Sequence, residues 1–191
     1  TIDNPDAIAE LLIAELKQHG ANHAAEVIFI SDGAPWIWNR LDEIAQKAGI
    51  ASEKVRKCLD FYHAAEHLSN IAGATPFATE KQRRKWLEEM KHSMKISDTK
   101  QFLSVLAKCK RKGNSVIRKE YQYFLKHAVG LNYRDIIAQK LPIGSGAVES
   151  AIRRVVNLRL KGAGMFWLLE NAEGFLHLRC QLKSGNWDQC F

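Results

Sequence analysis

No stretch of this 191-residue chain approaches the ~20 consecutive apolar residues needed to cross a bilayer, which argues against a membrane-spanning helix. The first residues are polar and acidic, so no secretory leader is expected. Cysteine is sparse: Cys58, Cys109, Cys180 and Cys190 are scattered, with no Cys-x-x-Cys pair. That argues against a zinc ribbon and a disulfide scaffold, and suits a reducing cytoplasm. Internal repeats and low-complexity stretches are missing too, which leaves no sign of a solenoid or a disordered tail. What remains is 46% hydrophobic and 26% charged, ordinary for a chain that buries a full core.

The net charge of +7 is unevenly spread. Between Lys81 and Lys126 stand 14 Lys and Arg against Glu88, Glu89, Asp98 and Glu120. The rest of the chain is slightly acidic. A positive segment of this kind suits a polyanion such as double-stranded DNA, although a solvated lysine-rich helix face has the same composition.

Local signals predict an α/β, mostly helical fold. Asn4-Pro5 reads as a cap and first helical position, with Ile8, Leu11, Leu12 and Leu16 as the apolar stripe and His19-Gly20 as the stop. Val27–Ile30 is an unbroken apolar run, expected to be a central strand buried on both faces. Pro35 is expected to open a helix through Lys47, residues 54–60 a second strand, and residues 62–71 a further helix. Thr75-Pro76 marks a boundary, beyond which everything to about Gln139 is helical in pattern. A helix is expected from Ala147 to Leu160, largely buried through Val148, Ala151, Ile152, Val155 and Val156. Another is expected from Met165 to Lys183.

Four groups of residues carry chemistry. Asp32 follows a strand at the edge where reactive groups collect in open α/β sheets, though Asp32-Gly33 also forms turns. Asp60 sits at the end of the next strand and is equally a good helix cap for the residues around His63. His63-x-x-Glu66-His67 matches an inverted zinc-peptidase signature, in which two imidazoles bind zinc and the glutamate activates water. Its bland counterpart is a pair of partly exposed helix histidines. Glu149 stands early on its helix after Gly144-Ser145-Gly146, with Arg153, Arg154, Arg159 and Lys161 placed for phosphates. Carboxylates on a basic protein suggest two-metal phosphoryl chemistry, with the glycines keeping the approach to Glu149 open.

The segments ISDGAPWIWNRLDE (30–43), LDFYHAAEHL (59–68), LPIGSGAVESAIRRVVNLRLKGAGMFW (141–167) and FLHLRCQLKSGNWD (175–188) resemble DDE-type transposases of bacterial insertion sequences, in the branch related to Mutator-like elements. The resemblance implies a partial RNase H-like core over residues 1–75 and 141–191. It implies a basic all-α insertion over 76–140, in which the charge cluster Lys110, Arg111 and Lys112 is expected to contact DNA phosphates. Asp32 and Glu149 correspond to the second Asp and the Glu that bind two Mg²⁺ (or Mn²⁺) ions. Asp60-x-x-His63 matches a supporting signature, which sets the zinc reading aside. The partners implied are transposon ends, target DNA and further copies of the chain, in a bacterial cytoplasm.

The family's first Asp has no counterpart, because Asp3 and Asp6 flank a helix start. The chain is therefore expected to be the carboxyl-terminal portion of a transposase, inactive alone. The alternatives are a DNA-binding relic without chemistry and a zinc hydrolase using His63 and His67.

Overall fold

The computed structural model describes residues 4–109 and 114–189. They are mostly helical, with one two-stranded parallel sheet. The chain divides into two compact units: Ala9–Gly144, and Ser145–Phe191 together with Thr1–Ile8.

Helix α1 (Pro5–Gln18) starts where Asn4 accepts from the amides of Asp6 and Ala7, at 3.1 and 3.2 Å, and stops at Gly20, whose φ is 65°. Strand β1 (Val27–Ser31) runs parallel to β2 (Val55–Leu59), with Val27 opposite Val55 and Ser31 opposite Leu59. The crossover holds α2 (Pro35–Trp38) and α3 (Leu41–Lys47). These are two pieces rather than the single helix expected. The Arg40 amide bonds to the Ile37 carbonyl, three residues back, and this tighter turn breaks the helical spacing.

The expectation of a central, doubly buried strand is corrected. Among the described residues β1 has β2 as its only strand neighbour, and along it only Phe29 is buried. Val27, Ile28 and Ile30 are half-buried against the core. An apolar run reports demand for cover; it does not supply a second strand to provide it.

The core of this unit is organised on α4 (Phe61–Ala74), whose Ala64, Leu68, Ile71 and Ala72 are fully buried at helical spacing. Against α4 pack α5 (Glu80–Ile96) and α7 (Ser115–Lys126), joined by α6 (Thr99–Ala107) and followed by α8 (Tyr133–Ala138). Met90, Met94, Phe102, Leu106, Ile117, Phe124, Tyr133 and Ile136 fill the space between them. Side chains start these helices: Thr79 accepts from the Gln82 amide, Asp98 from Gln101 and Asn114 from Ile117. Each such cap stabilises its helix by about 1 kcal/mol. Asn114 also donates to the Ala74 carbonyl at 2.9 Å, tying the start of α7 to the end of α4.

In the second unit, α9 (Gly146–Ile152) runs through a π-helical turn at Arg153–Asn157 into α10 (Leu158–Leu160). The wider turn changes which carbonyls find amide partners, and the Arg179 guanidinium donates to the carbonyls of Arg154 and Val155. Helix α11 spans Leu169–Lys183, starting later than the Met165 expected because Leu168 is extended, at φ −68° and ψ 141°. The burial expected of the 147–160 helix is corrected as well. Val148, Ala151 and Ile152 are exposed, Val155 and Val156 are half-buried, and no residue of α9–α11 is buried. Among the described residues no helix is long and apolar enough to cross a membrane.

Candidate active site

The register that pairs Ser31 with Leu59 places Asp32 and Asp60 at the same, carboxyl end of the sheet. Asp32 is exposed, and its Oδ1 accepts from the Ala34 amide at 2.8 Å. Gly33 follows at φ 80°, so the chain turns sharply into Pro35. The turn role and the exposed carboxylate are thus combined in one residue. Asp60 is different. It is 3% exposed, its amide donates to the Ser31 carbonyl at 2.7 Å, and its Oδ1 accepts from the Tyr62 and His63 amides at 2.8 and 2.9 Å. That is the helix-cap role, fully occupied at one oxygen.

His63 Nδ1 lies 3.3 Å from Glu66 Oε2. His67 Nδ1 bonds instead to Glu120 Oε2, across to α7, and Asn70 donates to the other Glu120 oxygen at 3.3 Å. Glu120 is only 8% exposed, so these two partners keep a buried carboxylate satisfied. The two imidazoles therefore engage separate carboxylates. Among the described residues no three His, Cys, Asp or Glu side chains are arranged to hold a metal ion.

The residues around Asp32 that sequence reasoning missed all come from α7 and its end. The Tyr123 hydroxyl donates to the Asp32 carbonyl at 2.8 Å, and its ring stacks on His67 with centroids 3.5 Å apart. Burial, then the negative charges of Asp32, Asp60, Glu120 and Glu66, push the Tyr123 hydroxyl well above the usual tyrosine range. His127 is 2% exposed, with Nε2 3.0 Å from the Gly33 carbonyl and Nδ1 2.9 Å from the Tyr123 carbonyl. Burial lowers its proton affinity below the ordinary imidazole value, while both carbonyls oppose that shift. A neutral ring donates to one carbonyl at a time. A signal was present: Glu120 and His127 lie at helical spacing on the face that carries Ile117 and Phe124 into the core. Polar residues on a buried face announce buried partners.

Asp32, Gly33, His63, His67, Tyr123, Lys126 and His127 line a shallow cavity of about 280 Å³. A larger hollow of about 510 Å³ lies elsewhere in the unit, where Lys57 and Asp42 are paired at 2.7 Å.

Glu149 is an exposed residue of α9, in the other compact unit, with its amide bonded to the Ser145 carbonyl at 3.0 Å. Arg153 and Arg154, at the π turn, and Arg159 and Lys161 are all exposed there. Lys110, Arg111 and Lys112 lie outside the described residues. The two glycines before Glu149 serve different ends. A Cβ on Gly144 would meet the Tyr62 ring at 2.8 Å, so that glycine admits an aromatic side chain, whereas a Cβ on Gly146 would meet nothing within 4 Å.

Next to the site, Cys58 is fully buried, and burial together with the Asp60 charge pushes its thiol up to about 12. At pH 8 only about one thiol in 10⁴ would then be the reactive thiolate. Iodoacetamide is expected to label exposed Cys180 in the folded chain and to reach Cys58 only after denaturation. Peptide mass spectrometry showing equal labelling of both in the native chain would contradict this.

Compared with family models, curated proteins and solved structures, the chain matches no family model, no curated protein and no solved structure.

Proposed function

We propose that this chain carries part of the catalytic domain of a DDE-type DNA transposase, built on an RNase H-like core with a basic helical insertion. The observation that supports it most is the placement of Asp32: an exposed carboxylate on a stiff turn at the carboxyl end of a parallel strand. The segments quoted above, including SDGAPWIW and GSGAVES, support the same reading.

Mg²⁺ takes few protein ligands, mainly carboxylates open to water, and Asp32 and Glu149 are both of that kind. Asp60 fits less well, because it is buried and caps α4. A bound pair of ions would stabilise the attacking and leaving oxygens at a phosphodiester. The chain's own contribution is to hold Asp32 on its clamped turn and to attract DNA through its cations. Lys81, Lys100, Lys108, Arg118, Lys119 and Lys126 are exposed and make no ion pair among the described residues. By contrast, Arg83 and Arg84 neutralise Glu80, whose carboxyl they draw down to about 2. The strands present one edge each without a strand partner among the described residues, which supports pairing with another copy.

The second reading is a DNA-binding relic without chemistry, for which the exposed cations named above would serve binding alone. Asp32 and Glu149 supply two carboxylates where two mutually repelling ions need more. The chain alone is therefore expected to retain supercoiled DNA in a gel-shift assay with Mg²⁺ or Mn²⁺, and to nick it no faster than its Glu149→Gln variant. Nicking that vanishes in the variant would show that these carboxylates suffice for catalysis. A chain that neither binds nor nicks DNA would overturn the transposase reading and the relic reading alike.

A further inference from the structure

We infer that Phe166 and Trp167 form a stacking platform for unpaired bases, with Arg153, Arg154, Arg159 and Lys161 beside it to hold the phosphates of a single DNA strand. The inference deepens the DNA-binding reading and rests on it. Phe166 is 95% exposed, so its ring contributes almost nothing to packing among the described residues. The turn before it explains why it stands out. The Met165 amide bonds to the Gly162 carbonyl at 3.2 Å, and Gly164 adopts φ 74°. Met165 folds back over Gly162, where a Cβ would lie 2.9 Å from its Sδ and Cε. The turn is closed on itself by the residue before Phe166, and the Phe166 ring is left facing solvent.

Trp167, 42% exposed, is held by α11: its ring stacks on Phe175, with centroids 5.3 Å apart and planes at 26°. The Arg179 guanidinium lies 5.8 Å from the same Phe175 ring and donates to the carbonyls of Arg154 and Val155. One chain of contacts thus joins the exposed aromatics to the π-helical turn that carries Arg153 and Arg154. Residues 150–169 hold four cations and no acidic residue. All four are exposed, and none makes an ion pair among the described residues. Aromatic faces next to free cations suit an unpaired strand, whose bases stack on the rings whatever their sequence while its phosphates meet the cations. A duplex hides its base faces and would use the cations alone. A second copy of the chain would bring the same four cations to this face, and like charges oppose that pairing.

The test is fluorescence anisotropy with labelled oligothymidylate and with a duplex of equal length, for the native chain and for Phe166→Ala, Phe166→Leu and Phe166→Tyr. Because Phe166 is exposed, none of these changes removes buried packing. Phe166→Ala and Phe166→Leu are expected to weaken binding to oligothymidylate about 10-fold and to leave duplex affinity unchanged. Phe166→Tyr keeps the ring and is expected to bind as the native chain does. Full single-strand affinity in Phe166→Ala overturns the platform. So does full affinity in Phe166→Leu, since an apolar contact without a ring then suffices, and so does an equal loss on the duplex. Sedimentation velocity on the same chains covers the protein alternative: a native dimer that Phe166→Ala converts to monomer would mark the segment as a protein interface and overturn the platform too. A native chain that binds the duplex and not the oligothymidylate removes this inference alone, whereas one that binds neither removes the DNA-binding reading with it.

Discussion

Replacing Lys110, Arg111 and Lys112 together with alanine is expected to weaken binding to double-stranded DNA by up to about 500-fold at 0.1 M salt, and to flatten its salt dependence. Each cation on a phosphate releases counterions, and the logarithm of the affinity falls with the logarithm of salt by about 0.9 per contact. At 0.1 M, relative to 1 M, one contact is thus worth about eightfold, and three about 500-fold if all of them touch phosphate. The slope should fall by about 2.7 in the same experiment. These residues are the densest part of a segment holding 14 cations and four carboxylates. Fluorescence anisotropy on a labelled duplex between 50 and 300 mM salt measures both quantities. Unchanged slope and affinity would mark the cluster as a solvated surface and leave the remaining cations of the insert to account for any binding.

Gly33→Ala is expected to destabilise the chain by about 2–4 kcal/mol. At φ 80° a side chain costs about 1 kcal/mol, because Cβ crowds the following carbonyl. The new methyl group would also overlap the His127 ring and Leu59 Cδ1, and overpacking of that order costs about 1–3 kcal/mol. Leu59 is fully buried and the His127 ring, 2% exposed, is enclosed between the Gly33 and Tyr123 carbonyls, so neither can retreat easily. For a chain of this size the change corresponds to a fall in melting temperature of roughly 5–15 °C. Thermal denaturation followed by circular dichroism decides it, and a Gly33→Ala melt within 2 °C of the native one would show that the turn relaxes freely. Gly146→Ala is the contrasting case: no atom would meet its Cβ within 4 Å, and little change is expected.

The sequence alone determined what depends on neighbours a few residues apart. Asn4, Thr79, Asp98 and Asn114 cap amides two or three positions ahead, and Asp60 does the same for α4. Val27–Ile30 and residues 55–59 form strands in parallel, as the apolar run and the intervening helical residues required. Gly20 stops α1 for the local reason that glycine adopts a left-handed turn without strain.

Tertiary structure decided how many strands flank β1, how much of it is covered, and whether the face of α9 finds a partner. Apolar spacing says that a face needs cover and cannot say what provides it, which is why Val148 and Ile152 were expected inside and are found exposed. The same limit hid the clamp on Asp32. Tyr123 and His127 bond to carbonyls 91 and 94 residues away in the chain, and Glu120 to His67 across 53. Helical spacing marks Glu120 and His127 as facing the core and needing partners, but which groups they meet is fixed only once α4 and α7 have packed together.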